Sequence, residues 1–288
     1  MKQVIGIGEI LWDLLPSGKQ PGGAPANFAY ISRRLGDHGI VVSRVGNDAA
    51  GDEILQILER VGADVSHVQK SAEHHTGTVK VSLANGQPSY EILENVAWDY
   101  LESTEDWRDL AISCDAVCFG TLAQRNEFSR RTIREFVKLT RRDCLRIFDV
   151  NLRQNYYSAE ILRESLESAN VVKLNNEELP KICKMIAVEG EDETEQIKNL
   201  REKFDLRLIC LTRGANGSLL LTANEASENG GVKVAVADTI GAGDAFTAAL
   251  THGFLRGWSL DEMNNFANRV GAFVASQTGA MPDFPAEF

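Results

Sequence analysis

A short segment near the C-terminal end, Asp238–Phe246, combines two glycines with a carboxylate in a pattern that suits phosphate chemistry. It reads Asp-Thr-Ile-Gly-Ala-Gly-Asp-Ala-Phe, and the long apolar run that follows predicts a buried helix. A glycine turn entering a helix offers free backbone N–H groups and the positive end of the helix dipole. Asp244, in the first helical turn, is then a candidate base for an attacking hydroxyl. The backbone N–H groups make a candidate anion hole from Gly241, Ala242 and Gly243. Alone, the same pattern fits an ordinary helix N-terminus.

The loop Pro21–Asn27, with the sequence Pro-Gly-Gly-Ala-Pro-Ala-Asn, is a second candidate site. Its paired glycines allow a tight turn, and Pro25 suits the first turn of a helix. Sugar hydroxyls need both donors and acceptors, which the side chains of Asp13 and Asn27 can supply. Without other motifs, this segment is equally consistent with an ordinary loop, rich in glycine and proline, before a helix.

Two more polar segments follow predicted strands, namely Asn175–Glu178 and Thr212–Gly217. Ligands of open α/β sheets bind outside the carboxyl ends of the strands, so both segments point toward one region. Glu178 can hold a water on Mg²⁺, because this ion usually keeps several waters and few protein carboxylates. The glycine-rich second segment can pass close to a nucleotide. Each also fits a plain structural role, as an acidic helix start and as a tight turn.

Three other site classes find little support. The segment Gly6–Leu11 resembles a dinucleotide fingerprint but has leucine in place of the last glycine, which speaks against a nicotinamide enzyme. No G-x-x-x-x-G-K-[ST] phosphate loop is present in the sequence. The pair His74-His75 lacks cysteine or acidic partners at metal spacing and predicts an exposed loop.

The elements that must position these residues alternate between short apolar runs and amphipathic helices. Most runs are apolar without alternation, as expected for parallel strands buried on both faces. We therefore predict an α/β fold with a mostly parallel central sheet and helices on both faces. The main strand-like runs are Val4–Gly8, Ile40–Val45, Ala116–Gly120, Leu145–Val150, Val171–Leu174 and Leu206–Thr212. Further strands are expected at Ser218–Thr222 and Val232–Val236, joined by a turn-rich connection over 226–231.

Residues 76–96 interrupt this alternation with two strand-like runs, Gly77–Ala84 and Ser89–Val96, on either side of an Asn85-Gly86 turn. Asn-Gly between alternating segments is a strong hairpin signal. We expect this hairpin, together with an irregular segment over 10–19, to form a small β-sheet lid over a site. The alternative is an edge extension of the main sheet.

Composition limits the classes of partner. The 288 residues fit a single domain over 1–288 with the two lid segments inserted in it. A formal net charge of −11 gives a nucleic-acid partner no electrostatic support. No apolar stretch approaches the roughly 20 residues of a membrane span, and the N-terminal apolar run is too short for a signal peptide. Five cysteines without a metal or disulfide pattern favour a reducing compartment, so we expect a cytoplasmic protein.

The four polar motifs, in this order along the chain, resemble the signatures of the ribokinase-like (phosphofructokinase-B type) carbohydrate kinases. The resemblance runs from Val4 to about Gly279. It implies a central sheet, a small lid and phosphorylation of a hydroxymethyl group by MgATP. Matching positions imply sugar contact by Asp13, Gly22, Gly23 and Asn27, an anion hole and base at Gly241, Ala242, Gly243 and Asp244, and a nucleotide side at Asn175, Glu178, Thr212, Gly214, Gly217 and Asn268.

Within this family, four segments look like those of bacterial fructokinases: Gly8–Pro16, Tyr90–Ile92, Val96–Asp99 and Phe148–Arg153. The last adds Asn151 and Arg153 as candidate sugar-binding residues. The resemblance thus implies conversion of D-fructose to fructose 6-phosphate. Ribose, 2-keto-3-deoxygluconate and adenosine stay open as alternative substrates, and a non-catalytic sugar-binding regulator stays open as an alternative function.

Two further properties follow from the resemblance only. Some family members bind a monovalent cation such as K⁺ beside the anion hole, where Asp238 would lie. Lids in this family often pair, which implies a homodimer through the lid, although the hairpin edge could equally be covered by its own chain.

Overall fold

The apolar runs of the sequence form the strands of one large sheet in the computed structural model, which describes residues 1–15, 18–84, 87–285 and 288. The strands in chain order are β1 (Gln3–Ile7), β2 (Leu11–Leu15), β3 (Gly18–Gly22), β4 (His38–Gly46), β5 (Val68–Ser71), β6 (Gly77–Ala84), β7 (Gln87–Ile92), β8 (Ala116–Phe119), β9 (Leu145–Asp149), β10 (Val171–Asn175), β11 (Leu208–Thr212), β12 (Ser218–Leu221) and β13 (Ala226–Asn229). The helices are α1 (Ala24–Arg34), α2 (Ala49–Arg60), α3 (Glu105–Ser113), α4 (Glu127–Leu139), α5 (Ala159–Ser168), α6 (Glu178–Ile186), α7 (Glu193–Lys203), α8 (Ala242–Phe254) and α9 (Leu260–Ala275).

Within the described ranges, nine strands form the main sheet in the order β13-β12-β11-β10-β9-β8-β1-β4-β5. The seven strands from β11 to β5 pair in parallel, and β12 and β13 are antiparallel additions at one edge. The chain runs outward from β1 to β4 and β5 on one side and from β8 onward on the other. The order therefore reverses beside β1, and ligands of such sheets bind at this switch point, outside the carboxyl ends of the strands.

Helices cover both faces of this sheet, as the sequence predicts. On one face, α1, α8 and α9 pack against the strands through buried side chains such as Phe28 and Phe246. On the other face, α3 to α7 pack through residues such as Phe136 and Leu179. Among the described residues, no helix is both long enough and apolar enough to cross a membrane.

A second, four-stranded sheet is built from the two inserted segments, in the order β3-β2-β6-β7. Strand β2 pairs in parallel with β6, and β6 pairs antiparallel with β7. The hairpin is therefore part of a separate small sheet and does not extend the edge of the main sheet. The predicted turn at Asn85-Gly86 and the residue Pro16 lie outside the described residues.

The sequence prediction was wrong over 226–236, where the strand comes earlier than expected. The last strand is β13, and the β-branched run Val232–Val236 has no strand assignment, with Val236 60% exposed. A short turn, closed by the hydrogen bond from Thr222 N to Glu225 O at 2.9 Å, brings the very next residues into register with β12. Backbone pairing across a tight turn thus outweighed the β propensity of the valines.

The close contact between α1 and β4 generates a stability prediction. A Cβ built on Gly39 in β4 would overlap the backbone carbonyl oxygen of Ala29 in α1. Because both groups are backbone, relief requires the helix to move off the sheet. We expect Gly39→Ala to lower the free energy of unfolding in urea by about 1–3 kcal/mol or more. The matched control is Gly230→Ala, since no atom lies within 4 Å of a Cβ there, and it should change stability by less than about 0.5 kcal/mol. Equal stability of the two variants would contradict this account of the helix–sheet contact.

Candidate active site

The N-terminal ends of α1 and α8 meet at the switch point of the main sheet. Nδ2 of Asn27, in α1, donates a hydrogen bond of 2.7 Å to Oδ2 of Asp244, in the first turn of α8. Two motifs separated by 217 positions are therefore in direct contact. The amide oxygen of Asn27 is buried and has no hydrogen-bond partner among the described residues, so it is available to a bound group.

The glycine turn before α8 is held in a defined shape by its neighbours. Gly241, the N-cap residue, has φ 77°, and a Cβ there would lie 2.5 Å from Cβ of Ala280. The carboxylate of Asp238 accepts hydrogen bonds from the N–H of Ile240, at 3.0 Å, and of Gly279, at 3.3 Å. The first N–H groups of α8 have no intrahelical partner and carry the positive end of its dipole. The turn therefore presents free N–H groups, which can bind an anion, next to Asp244.

A buried network of charged and polar side chains lies under this turn. Asp149, at the end of β9, accepts from Lys173 Nζ at 3.0 Å and from the Thr247 hydroxyl at 2.8 Å. The Thr247 hydroxyl also contacts the carbonyl oxygen of Gly243, at 3.0 Å. Asp149 and Lys173 are both more than nine-tenths buried. The network ties the ends of β9 and β10 to the start of α8.

On the opposite side, the predicted sugar-contacting residues gather around the glycine pair. Gly22 at the end of β3 lies directly against the carboxylate of Asp13 in β2, and Gly23 lies against the backbone of Glu9. The helix α1 has no side-chain cap from its own N-cap residue Gly23. The backbone N–H of Ala24, at the start of α1, lowers the pKa of the Glu9 carboxyl group.

Burial and mutual repulsion raise the pKa values of three carboxyl groups here. Burial raises the pKa of Asp244 to about 6, with the charge of Asp149 adding to the shift and the Asn27 hydrogen bond opposing it. Burial likewise raises the pKa of Glu9 to about 7 and that of Asp13 to about 6. The positive charge of Arg153 lowers all three values. Asp244 is therefore ionised at neutral pH yet basic enough to accept a proton.

The segment after β9 brings the two other candidate sugar residues to the same edge. Asn151 is half-buried with φ 44°, and its carbonyl oxygen accepts a hydrogen bond from the Thr121 hydroxyl at 3.2 Å. Arg153 is exposed, and its charge acts on Glu9, Asp13 and Asp244 as described above. This segment is thus in position to form one wall of the site.

Glu178 is 4% exposed and already bound on both oxygens. Oε1 accepts from the N–H of Leu152 at 2.8 Å, and Oε2 accepts from the N–H of Asn175 at 2.8 Å. Burial raises its pKa, while the nearby charge of Lys173 lowers it. Each oxygen keeps a second lone pair, so the carboxylate can still accept a hydrogen bond from a metal-bound water.

The remaining predicted nucleotide residues lie at the neighbouring strand ends. Thr212 is the register partner of Asn175, and the chain then turns through Gly214 and Gly217. Asn268, on α9, donates from its amide nitrogen to Ser218 Oγ at 2.7 Å and to the carbonyl oxygen of Asn264 at 2.8 Å. Its amide nitrogen is therefore engaged within the protein, and Asn268 lies against the end of this turn.

Glu9, Asp149 and Lys173 were not identified as site residues from the sequence, although the first two lie within quoted motifs. The signal for Asp149 and Lys173 is a charged residue next to apolar, buried residues in a short strand. Such a residue needs a buried partner, but the sequence does not say which strand end supplies it. Glu9 carries no comparable signal, because it follows β1 at a loop position.

The raised pKa of Glu9 leads to a prediction about stability. An acid whose pKa is higher in the folded state destabilises the fold as pH rises from its unfolded value toward its folded value. Removing this group should therefore stabilise the apo-protein above pH 7 and change little at pH 5. For Glu9→Gln we expect a free energy of unfolding higher by up to roughly 3 kcal/mol at pH 8, from urea denaturation at both pH values. The control Glu59→Gln, an exposed position on α2, should behave like the wild type. Parallel pH dependence of Glu9→Gln and wild type would contradict the assigned burial of this charge.

Known proteins resemble this chain in sequence and in fold. Residues 17–287 match the model of the pfkB family of carbohydrate kinases. The fructokinase of Escherichia coli is 30% identical over 308 residues, covering 97% of this chain and 95% of the relative. The crystal structure of an uncharacterized sugar kinase from Pyrococcus horikoshii superposes with a TM-score of 0.83 at 30% identity, covering 97% of this chain and 94% of the other. A Vibrio cholerae fructokinase variant with bound fructose, ADP and potassium ion superposes with a TM-score of 0.81 at 26% identity, covering 98% and 94%.

The ribokinase-like fold expected from the motifs is therefore confirmed. The match covers nearly the whole of this chain and nearly the whole of each relative. The chain belongs to the pfkB family of carbohydrate kinases.

Proposed function

We propose that this protein transfers the γ-phosphate of MgATP to a hydroxymethyl group of a monosaccharide, with D-fructose as substrate and fructose 6-phosphate as product. The observation that carries the proposal is the contact of Asp244 with Asn27 beside the glycine turn. This contact supports the proposal, because the carboxylate would accept a proton, the Asn27 amide would bind a hydroxyl, and the N–H groups of the turn would bind an anion at the same point.

In the proposed reaction, the sugar hydroxyl oxygen attacks the γ-phosphorus of ATP, and the bond to the β–γ bridging oxygen breaks. The hydroxyl proton goes to the carboxylate of Asp244, and ADP leaves with the bridging oxygen. The N–H groups of Gly241, Ala242 and Gly243 hold the transferring phosphoryl group, where the negative charge lies during transfer. Positioning and electrostatics, rather than covalent catalysis, carry such a transfer.

The sugar would bind between the two sheets. Asp13, with Asn27 and the backbone at Gly22 and Gly23, would contact its hydroxyls, and Asn151 and Arg153 would close the far wall. The small sheet β3-β2-β6-β7 would act as the lid, since Asp13 lies on β2. Closure of the lid would exclude water, which otherwise competes as phosphoryl acceptor.

The nucleotide would bind along the ends of β10 and β11, beside Asn175, Thr212, Gly214, Gly217 and Asn268. Bound Mg²⁺ would supply positive charge that offsets the charge of the phosphates. Glu178 would orient one of its waters, using the lone pairs that the backbone N–H groups leave unused. A monovalent cation such as K⁺ would bind near Asp238. We further propose that the enzyme acts in the cytoplasm and that its lid pairs with that of a second copy.

Fructose is preferred because the Escherichia coli relative is named a fructokinase and the Vibrio cholerae structure holds fructose. Ribose, 2-keto-3-deoxygluconate and adenosine are the competing acceptors. A regulator that only binds sugar would need neither a base nor a phosphate-binding turn, so the intact Asp244 and glycine turn favour an enzyme.

A coupled assay of ADP release tests the substrate. Purified protein with MgATP should turn over fastest, by kcat/KM, with fructose, compared with ribose, 2-keto-3-deoxygluconate, tagatose and adenosine. Faster turnover with another acceptor would replace fructose as the substrate. Absence of sugar-dependent ADP release with all of them, together with measurable sugar binding, would favour the regulator.

Replacement of the proposed base gives the sharpest test of the mechanism. Asp244→Asn keeps the shape of the side chain and removes its basicity, so kcat should fall by about 10²–10⁴-fold. Sugar and ATP binding, measured by calorimetry, should change much less because their other contacts remain.

Two variants serve as controls for Asp244→Asn. Asp106→Asn removes an exposed acid from the first turn of α3 and should leave kcat unchanged. Asp238→Asn should disturb the glycine turn or the cation site without removing the base, and so cost less. If folded Asp244→Asn retains more than about a tenth of wild-type kcat, the base is another residue.

A further inference from the structure

Lys173 is a buried cation in the middle of β10, where the two preceding strand residues are apolar. Its Nζ donates to Asp149 Oδ1 at 3.0 Å, and a Cβ built on Gly243 would lie only 3.0 Å from the same Nζ. The ammonium group is thus packed against the backbone of the glycine turn. Burying an ammonium group costs free energy unless nearby negative charge compensates it. The position of Lys173 therefore needs an explanation other than packing.

Lys173 is surrounded by more negative charge than its one partner supplies. Asp149, Glu178 and Asp244 all raise the pKa of Lys173, against the opposing effect of burial, so the lysine stays charged. If Asp149 only neutralised Lys173, a pair of apolar side chains of similar volume would fill the same space at less cost. The pair instead lies between the strand ends and the residue that we propose as the base.

The charged and titratable groups around Asp244 come from several elements. Asp149 (β9) and Lys173 (β10) lie beneath it, Glu9 follows β1, Arg153 follows β9, and the Cys118 thiol is on β8. Asp149 and Glu9 disfavour the ionised form of Asp244, while Lys173, Arg153 and the Asn27 amide favour it. Arg153 is exposed and therefore screened by solvent, so Lys173 is the buried positive charge in this set.

We propose that Lys173 is a positioning residue that keeps Asp244 ionised under the glycine turn, with Asp149 holding the lysine in place. The inference rests on the proposed function, in which Asp244 accepts the hydroxyl proton. Lys173 acts on the base through space and does not itself touch the sugar. Its charge also lies behind Gly243, where it adds to the positive potential that favours a phosphoryl group at the turn.

The pair allows a test with opposite expected results. Removing the positive charge, in Lys173→Met, should raise the pKa of Asp244. Removing the negative charge, in Asp149→Asn, should lower it, because Asp149 no longer repels the ionised carboxylate and Lys173 is no longer neutralised. Each displacement should be about one pH unit or more. A purely structural role of the pair would weaken both variants without moving the pKa in opposite directions.

The first measurement needs no substrate. The side-chain carboxyl carbons of ¹³C-labelled aspartate are titrated by NMR in the apo-protein, and the resonance absent from Asp244→Asn identifies Asp244. We expect its pKa to be higher in Lys173→Met and lower in Asp149→Asn than in the wild type. An Asp244 pKa that is unchanged, or that moves the same way in both variants, overturns the proposal whatever happens to activity. Lys173→Gln, which keeps a donor for Asp149, replaces Lys173→Met if the latter does not fold.

The second measurement is the pH profile of kcat/KM for the sugar. The base must be ionised, so activity falls as pH drops through its pKa, and this acid limb should move to higher pH in Lys173→Met and to lower pH in Asp149→Asn. At pH 6, a pKa raised from about 6 to about 7 should lower the activity of the first variant, relative to its own plateau, about fivefold further than in the wild type. The proposed function can fail separately from this proposal. If the Asp244 pKa moves in opposite directions in the two variants but Asp244→Asn stays active, or the wild type phosphorylates no sugar, the charge effect stands and the proposed function is refuted.

Discussion

The hydrogen bond between Asn27 and Asp244 joins the N-terminal ends of α1 and α8, helices that begin more than two hundred residues apart. Both helices lie on the same face of the main sheet, and the packing of α1 against β1, β4 and α8 sets the distance between these two side chains. The close approach of Gly39 to Ala29 is part of the same constraint. Any change that lifts α1 from the sheet would therefore also separate Asn27 from Asp244.

The site around this contact concentrates charge in a place that is largely removed from water. Carboxyl groups with little access to water are costly when ionised, which is why the buried Glu9 and the half-buried Asp13 and Asp244 all have raised pKa values. The buried Lys173 and the exposed Arg153 offset part of that cost. Ligands with positive charge, such as a metal ion carried by a nucleotide, would offset more of it. Burial of these carboxyl groups therefore lowers the free energy of unfolding of the protein without ligands.

The parallel strands explain why residues from so many segments share one site. Each of β1, β9, β10 and β11 ends at the same edge of the sheet, and a polar residue lies at each strand end or within two residues after it: Glu9, Asn151, Asn175 and Arg213. The small second sheet adds Asp13 from β2. A catalytic centre assembled in this way can change specificity through the loops and the small sheet while the central strands stay the same.

Much of this arrangement could be predicted from the sequence, because it depends on local signals. Uninterrupted apolar runs predicted parallel strands buried on both faces, and the glycine turn followed by an apolar run predicted the start of α8 and the position of Asp244 on it. The motif order predicted the family. Over 226–236 the prediction from local composition was wrong. The valines have high strand propensity, but the residues nearest the turn are the ones that pair with β12.

Only the tertiary structure decided which charges surround Asp244. The pKa of a carboxyl group depends on its burial and on distances to other charges, and those distances are set by the lateral order of strands, not by spacing along the chain. Lys173 and Asp149 are 24 positions apart in the sequence, and Asn27 and Asp244 are 217 positions apart, yet each pair is joined by a hydrogen bond. The sequence by itself determined which residue types can bind a phosphate and accept a proton. The order of the strands in the folded sheet determined the pKa of each of these carboxyl groups.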